Sequence, residues 1–329
     1  MMLQSHVEGV CEILEFLRPL RISRPLVRLG GDSDGAYLVP DVLERISACF
    51  SPGCCNSKLF EDELLDRFGI TSFLCDFTSS AEKFSTPFTE GKQFFVKKWL
   101  SPSEDKDSIS LENWVRNSEA RGDLLLQMDI EGAEYVNLAS AAVSVVSRFS
   151  IMVVEFHWSA EDLDDADKAG SIISGFRKIL PLFKCVHMHP NNCCGDFWCP
   201  AGQRFVPRVF ECTFVRNDVF AEIGCVPHEF VSLPHADDIS ANVPSKRPLL
   251  RANGWGAPSP DSLSVARAIE MAMDYSDHRV SDLERLVQEL ESRVVEQERR
   301  LREIGFPLRV YSRIRRVLKK VSGLVGMVD

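Results

Sequence analysis

The chain has 329 residues, of which 45% are hydrophobic and 26% are charged, a balance that excludes collagen-like, low-complexity or wholly disordered proteins. An α/β core takes roughly 200 to 250 residues, so the length predicts one catalytic-sized domain with appendages. The formal net charge is −10, and nine of the 38 basic residues lie between Arg299 and Lys320. The rest of the chain is therefore strongly acidic, which argues against nucleic acid as a partner, because phosphate binding needs a cationic groove.

Cysteine content and hydropathy together predict a cytoplasmic protein. Eleven cysteines are an odd number, and the sequence shows neither a secretory signal pattern nor an apolar run of about 18 residues. Reduced thiols are then expected rather than a disulfide framework.

The first 24 residues are predicted to be helical, and one domain is predicted over residues 25–235. In that domain, short apolar runs rich in β-formers alternate with helical patterns over 58–68, 133–146 and 160–180. This alternation is typical of a mostly parallel sheet covered on both faces. The last two runs are joined without a convincing helix, which predicts an antiparallel last strand. The seven candidate strands are 46–51, 71–77, 93–100, 124–130, 151–157, 183–189 and 208–216.

The segment 28–41 precedes the first of these strands and mixes turn formers with acids. It is either a plain β-turn or a strap over a cofactor. In the second interpretation, Gly35 and Tyr37 contact the cofactor.

Two residues after the first two strands have the types that a cofactor site needs. Gly53 follows the first strand, where the absence of a side chain lets the backbone pass close to a nucleotide-like ligand. One glycine is a weak signal, since any strand-to-helix turn can contain one. Asp76 ends the second strand about 20 residues later, where a Rossmann-like fold places an acid against ribose hydroxyls. Together they favour a cofactor site.

The fourth strand ends in three carboxylates, Asp129, Glu131 and Glu134. Open α/β sheets bind ligands at this edge. Asp129, still within the strand end, is the better functional candidate, whereas Glu131 and Glu134 can equally decorate the first turn of the next helix. The fifth strand ends with Glu155 and His157, and one of them is expected beside Asp129 if the two strands are neighbours.

The sixth run ends in a further polar segment with His187, His189 and Asn192. Residues two apart on a strand point to the same face, so the two histidines can converge on a ligand, a metal or a substrate hydroxyl. A zinc site with the cysteines from Cys193 onward is one alternative, although their spacing fits no tight Cys-x2-Cys knuckle. A hard divalent ion held by Asp129 and histidine is favoured over it, and the metal itself stays unassigned.

After residue 235 the amino-acid composition of the sequence changes. Residues 236–262 are rich in proline, alanine, serine, asparagine and glycine, as in a linker. Apolar residues in 263–304 include a stretch with 3-4 spacing, which predicts either a short coiled coil that makes the protein a homo-oligomer or a single helix packed on the core. Residues 308–327 carry a cationic stripe opposite an aliphatic one, which suits peripheral contact with an anionic membrane or a solvated tail.

Five segments, in this order, carry a family resemblance: RLGGDSDGAYLVPD at 28–41, QMDIEGAE at 127–134, VEFH at 154–157, HMHPNN at 187–192 and PRVFECTFVR at 207–216. They resemble the FkbM-type family of S-adenosylmethionine-dependent methyltransferases. The resemblance implies a Rossmann-like class I methyltransferase fold with seven strands, S-adenosylmethionine as cofactor, and methylation of a hydroxyl on a sugar, glycan or related metabolite. Cys55 stands where the family usually has a second glycine in the first cofactor turn, and its side chain can weaken cofactor binding.

The resulting hypothesis is an O-methyltransferase with Gly53 beneath the methionine part of the cofactor and Asp76 on its ribose. His157 is the first choice of base, because an unperturbed histidine titrates near neutrality, and Asp129 orients the acceptor or holds an ion. The acceptor pocket is expected to be lined by Glu131, His187, His189 and Asn192.

Two other functions stay open. Cys55 favours a non-catalytic platform with a methyltransferase fold, recruited to a membrane assembly through its coiled coil and basic tail. A nicotinamide-dependent oxidoreductase is the second, and the missing Gly-x-Gly-x-x-Gly motif counts against it.

Overall fold

The structure is a computed structural model, and it describes residues 4–202, 204–230, 235–238 and 242–246. These residues belong to two compact units, and the second unit contributes only the segment 197–206 to them. The predicted helix over 263–304, the predicted basic helix over 308–327 and most of the predicted linker over 236–262 lie outside the described residues.

Eight α-helices form within the described residues, and two of the predicted helices are each divided in two. The pattern over 160–180 is interrupted at Asp165, whose carboxylate accepts hydrogen bonds from the backbone N–H groups of Asp167 and Lys168 and so caps a new helix. The pattern over 133–146 likewise divides, at an extended alanine. The helices are α1 (Gln4–Phe16), α2 (Leu59–Phe68), α3 (Leu111–Asn117), α4 (Glu134–Ser140), α5 (Val143–Val146), α6 (Ala160–Asp164), α7 (Ala166–Ile179) and α8 (Asn217–Ile223).

Thirteen strands lie in the same part of the chain. They are β1 (Leu20–Ile22), β2 (Leu26–Leu29), β3 (Tyr37–Pro40), β4 (Ile46–Pro52), β5 (Thr71–Cys75), β6 (Gln93–Val96), β7 (Trp99–Leu100), β8 (Ser108–Ile109), β9 (Asp123–Met128), β10 (Phe149–His157), β11 (Phe183–Cys199), β12 (Arg204–Arg216) and β13 (Cys225–Phe230). Three two-stranded sheets pair β1 with β13, β2 with β3 and β7 with β8. The other seven strands form the central sheet.

The central sheet has the order β11-β12-β10-β9-β4-β5-β6. Strands β10, β9, β4, β5 and β6 run parallel to one another, and β12 runs antiparallel to β10. Leu124, Leu125 and Leu126 of β9 are fully buried, as a central parallel strand covered on both faces requires. The predicted fold class is therefore confirmed as an α/β, Rossmann-like fold with a mostly parallel seven-stranded sheet and an antiparallel last strand.

The strand order reverses between β4 and β9, because β5 and β6 follow β4 on one side while β9 and β10 extend the sheet on the other. This reversal is the topological switch point at which open α/β sheets bind ligands, outside the carboxyl ends of the strands. The turns after β4, β5, β9 and β10 therefore define the region where a site is expected.

Three strands differ from their prediction by at least four residues, since β6 is shorter and β11 and β12 are longer. The strand predicted over 93–100 ends early because the chain turns at Lys98, whose N–H donates to the Val96 carbonyl at 3.0 Å. The strand predicted over 183–189 continues past Pro190. The two asparagines beyond it bind neighbouring segments through their side chains, and Asn191 donates to Glu155 at 3.0 Å.

The N-terminal helix α1 packs on α7. A Cβ atom on Gly9 would lie 2.8 Å from the Ile173 side chain, so the two helices are in direct contact there. Phe16 stacks on Phe214 of β12, with ring centroids 5.4 Å apart. Among the described residues, no helix combines the length and the apolar character that crossing a bilayer requires.

Candidate active site

The turn after β4 crosses the turn after β9 at the switch point. Gly53 has φ +83°, and a Cβ atom there would lie 1.6 Å from the carbonyl oxygen of Asp129. The Gly53 N–H donates to Cys75 at 2.9 Å, and the Asp129 N–H donates to Pro52 at 3.2 Å. The fold therefore requires glycine at position 53, because any side chain there would clash with the turn after β9.

The next two residues of this turn also have positive φ angles. Cys55 has φ +44° and Asn56 has φ +57°, and this left-handed region costs a residue with a Cβ atom about 1–2 kcal/mol. The Asn56 N–H donates to the Ser79 hydroxyl at 2.9 Å, and its side-chain oxygen accepts from the Ser80 N–H at 3.0 Å. Cys55 therefore adopts the conformation of the glycine for which it stands.

Asp76, which follows β5, is engaged with its own loop. One carboxylate oxygen accepts from the N–H and hydroxyl of Thr78, both at 2.7 Å, and from the Ser79 N–H at 3.2 Å. The other accepts from the Ser79 hydroxyl at 2.7 Å and from the Cys55 N–H at 2.9 Å. Burial alone would raise the pKa of Asp76, but the hydrogen bonds, with Thr78 and Ser79 foremost, hold it below its ordinary value. A carboxylate offers about four lone-pair positions, so Asp76 has none to spare in this arrangement.

Beyond the switch point, β9, the start of α4 and the end of β10 bring three side chains together. Asp129, Glu134 and His157 each offer one possible metal-ligating atom, and these atoms lie within 4.8 Å of one another. His157 Nδ1 is 3.3 Å from Glu134 Oε1, and His157 Nε2 is 3.4 Å from Glu131 Oε2. The predicted proximity of Asp129 and His157 follows from the pairing of β9 with β10.

A strained loop presents these side chains. Glu131 has φ +56° although it is not glycine, and Gly132 follows with φ +100°. Glu134 is fully buried, and its Oε1 accepts from the N–H groups of Ile130 at 3.1 Å and Gly132 at 3.0 Å. The hydrogen bonds to Glu134 therefore hold the loop in place, and the exposed carboxylate of Glu131 lies beside His157. Backbone strain of this kind is characteristic of functional sites.

The cluster is incompletely satisfied. Three buried atoms in it have no hydrogen-bond partner within the described structure, one on each residue: Asp129 Oδ1, Glu134 Oε2 and His157 Nδ1. Burial raises the pKa of Asp129 to about 7, with His157 opposing the shift and Glu131 and Glu134 adding to it. Burial lowers the pKa of His157, but Glu134 outweighs burial and the pKa is raised overall. The neighbouring carboxylates therefore favour the protonated form of the first choice of base.

A second acidic cluster lies alongside, formed by Asp34, Glu155 and Glu211. Here amides bridge the carboxylates: Asn191 donates to Glu155 at 3.0 Å and to Asp34 at 3.3 Å, and Asn242 donates to Asp34 and to Glu211, each at 2.8 Å. Burial raises the pKa of Glu155 well above its ordinary value and that of Glu211 to about 7. Each of these acids accepts a hydrogen bond from a neutral side-chain amide, whereas Asp129 Oδ1 and Glu134 Oε2 accept none in the described structure.

The predicted strap residues lie close to both clusters. Tyr37 is buried, and its hydroxyl accepts from Gln127 at 3.3 Å. Burial raises the pKa of Tyr37 well above its ordinary value, and the nearby carboxylates of Glu155 and Asp129 add to the shift. Gly35 has φ +83° with no atom within 4 Å of the place a Cβ would take, so it serves the turn and leaves open space beside it.

The side chains of His187, His189 and Asn192, predicted to line the acceptor pocket, are buried against later residues of the chain. His187 Nε2 is 3.0 Å from Asp238 Oδ1, and His189 Nε2 is 2.9 Å from Asn242 Oδ1. Asn192 donates to the carbonyl of residue 243 at 3.0 Å and accepts from its N–H at 2.8 Å. All three side chains are buried by contacts with residues 238, 242 and 243, in a region that the composition had suggested to be mainly linker.

An open cleft of about 500 Å³ lies beside the end of β10. Lys168 in its wall pairs with Asp162 at 2.7 Å, and Arg208 lies 3.5 Å from Glu161. The cleft therefore combines both signs of charge next to the catalytic candidates. Its lining includes Glu131, Tyr135, His157, Trp158, Asp162, Lys168 and Arg208.

Sequence reasoning thus brought together Asp129, Glu131 and His157, and it placed Asp76 and Gly53 at the same edge. It gave Glu134 an even chance of a merely local role and did not single out the side-chain partners of the second cluster. Glu211 carried a readable signal, because it interrupts the apolar run of β12. The residues Asp238 and Asn242 carried none, since they lie in a stretch with the composition of a loop.

No protein-family model matches the chain, and no curated protein matches it significantly. A Streptococcus pneumoniae protein described as a tRNA (m1A22) methyltransferase, solved with S-adenosyl-L-methionine, is 10% identical over 85% of this chain and 94% of its own, with a TM-score of 0.30. Human methyltransferase-like protein 13 in complex with SAH is 11% identical over 70% and 86%, with a TM-score of 0.32. Spermidine synthase from Thermotoga maritima is 10% identical over 60% and 74%, with a TM-score of 0.29. Likenesses this loose carry no conclusion about activity, which has to be argued from the site itself.

Proposed function

We propose that the chain is an S-adenosylmethionine-dependent O-methyltransferase acting on a hydroxyl of a sugar, glycan or related metabolite, as the resemblance to the FkbM-type family implies. One observation supports this above all. The turn from Gly53 to Asn56 contacts the Asp129 carbonyl on one side and the Asp76 carboxylate on the other, so both acids belong to one edge of a sheet of the class I methyltransferase type.

The fit of the cofactor depends on Asp76. Its carboxylate is ionised at neutral pH and is already surrounded by donors, two of which are the hydroxyls of Thr78 and Ser79. Ribose hydroxyls are donors of the same kind, and they can replace these two one for one while the backbone N–H bonds remain. Asp76 would then hold the ribose, and Gly53 would keep the turn close to the sheet edge.

The cluster around His157 is the proposed place of catalysis. S-adenosylmethionine supplies an electrophilic methyl group. The acceptor enters through the cleft beside His157, and Glu131 and Asp129 orient its hydroxyl. In its neutral form, His157 accepts the hydroxyl proton, and general-base catalysis of this kind contributes roughly 100 to 10,000-fold.

Ligand-dependent stability tests this proposal. S-adenosylmethionine or its demethylated product, at 100 times its dissociation constant, is expected to stabilise the protein by about 2.7 kcal/mol, measured as a shift of the melting temperature. A shift with NAD instead identifies an oxidoreductase. The absence of a shift with any of these ligands overturns the proposal and favours the non-catalytic platform.

Two variants separate the effect on cofactor binding from the effect on catalysis. Asp76→Ala should abolish cofactor binding in calorimetry, whereas His157→Gln should leave the affinity unchanged and slow methyl transfer to glycan extracts supplied with labelled donor. The matched control is Glu112→Gln, an exposed carboxylate on α3 that pairs with Arg116 outside the site. Treatment of the labelled product with mild base distinguishes the expected methyl ether, which survives, from a methyl ester, which does not.

A further inference from the structure

We propose that Asp129, Glu134 and His157 bind a divalent transition-metal ion. The three residues come from three separate elements, the end of β9, the start of α4 and the end of β10, and their donor atoms converge within 4.8 Å. Donors around one ion at about 2.1 Å lie roughly 3 Å apart, so a contraction of at most about 2 Å completes the site.

The unpartnered atoms are the independent observation that points to a ligand. Each of the three residues keeps one buried atom without a hydrogen-bond partner in the described structure, and leaving a buried polar group unsatisfied costs about 1–3 kcal/mol. Glu134 has 0% of its surface exposed, so water in bulk does not satisfy its free oxygen. A cation bound between the three residues would supply the partner that the cluster lacks.

The surroundings of His157 have the arrangement of a metal-bound imidazole. Its Nδ1 faces the cluster at 3.3 Å from Glu134, while its Nε2 lies 3.4 Å from the carboxylate of Glu131. Metal-binding histidines commonly donate their second N–H to a carboxylate, which fixes the ring and raises its basicity. Glu131 fills that role here, from a loop with a strained backbone at its own position.

The neighbouring cluster of Asp34, Glu155 and Glu211 shows what a comparable group looks like when its acids are already satisfied. Its carboxylates receive hydrogen bonds from Asn191 and Asn242, and none of its oxygens is left buried and unpartnered among the described residues. It also contains no imidazole. The two clusters therefore provide an internal comparison for a binding experiment.

The donor set selects the kind of ion. Two carboxylates and one imidazole suit Mn²⁺, Fe²⁺ or Zn²⁺ better than Ca²⁺, which takes only oxygen ligands. The order of affinities for first-row ions predicts tighter binding of Zn²⁺ than of Mn²⁺. Three protein ligands leave coordination positions open, which is the property of a catalytic rather than a structural site.

This inference deepens the proposed function without depending on the methyl donor. If the chain is an O-methyltransferase, the ion lies beside the cleft, binds the acceptor hydroxyl and lowers its pKa. His157 is then a ligand, and the acceptor hydroxyl loses its proton to the exposed Glu131 or to solvent rather than to the imidazole. Metal binding is measured in the absence of S-adenosylmethionine, so its failure and the failure of the proposed function can be told apart.

The experiment uses the full chain, stripped with EDTA and dialysed, and titrated with MnCl₂ in a calorimeter while the paramagnetic resonance signal of free Mn²⁺ is followed. One Mn²⁺ per chain is expected. Glu134→Gln and His157→Gln should each weaken binding at least tenfold. Glu211→Gln, a buried carboxylate in the neighbouring cluster, should leave the affinity within about twofold, and circular dichroism checks that every variant is folded.

Three results would overturn the inference. They are the absence of Mn²⁺ and Zn²⁺ binding to the folded wild-type chain, wild-type affinity in the folded Glu134→Gln and His157→Gln variants, and loss of binding in Glu211→Gln alone. Glu134→Gln keeps the oxygen that accepts from Ile130 and Gly132, so it preserves the loop. Asp129→Asn, which should also weaken binding, serves as a second variant if either of the others does not fold.

Discussion

The two sides of the switch point differ in how their acids are satisfied. On the β5 side, Asp76 accepts six hydrogen bonds from four neighbouring residues, one of them from the Cys54 thiol. On the β9 side, Asp129 and Glu134 each keep a buried oxygen without a partner in the described structure. Unsatisfied buried groups reduce stability and persist where function requires them. The same residue types at one sheet edge thus differ in their surroundings, and hydrogen bonding distinguishes the satisfied carboxylate of Asp76 from the incompletely satisfied carboxylates of Asp129 and Glu134.

The largest expected effect tests whether the two sides are joined through Gly53. Gly53→Ala places a Cβ atom on the Asp129 carbonyl, so we expect the free energy of unfolding to fall by about 4 kcal/mol or more. Gly35→Ala is the matched control, because it has the same φ of +83° and no atom within 4 Å. It should cost only about 1–2 kcal/mol, the price of the backbone conformation. Equal losses in denaturant unfolding would show that the contact with Asp129 contributes nothing.

A pair of isosteric variants tests the comparison most directly. Asp76→Asn converts an acceptor surrounded by donors into a partial donor, and it should lower the free energy of unfolding by about 2–3 kcal/mol. Asp129→Asn removes a buried charge that lies among other carboxylates, and it should raise the free energy by about 1 kcal/mol in EDTA-containing buffer. Urea unfolding of both proteins at one pH gives the two values. Changes of the same sign would contradict the distinction between the two sides.

A third prediction concerns His189, whose imidazole pairs with the carboxylate of Asp238. Burial lowers the pKa of His189, but Asp238 and Glu211 raise it to about 9 overall. A group whose pKa is higher in the folded state stabilises the fold below its unfolded pKa, and this contribution is lost as the pH rises through the folded value. We therefore expect about 3 kcal/mol of stability to disappear between pH 6.5 and 9.5.

Hydrogen exchange of the segment 235–246 and urea unfolding across that pH range measure the loss. The His189→Gln variant keeps a polar side chain without the charge, so its stability should change less over the same range. A variant that follows the wild-type pH dependence would assign the loss to other groups.

The smallest effect is expected at Cys55. Cys55→Gly relieves a left-handed backbone at φ +44°, but glycine also gains entropy in the unfolded chain, so the net stabilisation should be only about 0.5 kcal/mol. If the turn binds S-adenosylmethionine, removal of the side chain should also increase the affinity in calorimetry. Cys11→Gly lies in α1 rather than in this turn, so it should lose stability and leave the affinity unchanged.

The sheet could be predicted because its signals are local. Apolar runs such as the one in β9 are buried on both faces, and carboxyl ends of parallel strands meet at one edge whatever the loops do. The ends of helices and strands were harder to predict. The helix pattern over 160–180 is split because Asp165 accepts two backbone hydrogen bonds and so begins a new helix. The spacing of apolar residues does not show whether an aspartate caps a new helix or continues the existing one.

The site could be predicted only as far as neighbouring strands determine it. Asp129 and His157 end adjacent strands, so their proximity followed from topology. The role of Asp76 depends on hydroxyls two and three residues further along, and that of His189 depends on Asn242, 53 residues away. Contacts of this range are set by how loops return to the sheet, which neither periodicity nor spacing encodes.

Asn242 has a consequence for how the molecule is made. It binds Asp34, 208 residues earlier in the chain, and at a synthesis rate of 5–20 residues per second this separation amounts to roughly 10 to 40 s on the ribosome. Glu211 is made only 31 residues before Asn242, so all the acids of this cluster are present for roughly 2 to 6 s before the amide that lies between Asp34 and Glu211 is made. During those seconds the nascent domain carries three carboxyl groups with one of their two bridging amides missing, and chaperones have that interval in which to bind it.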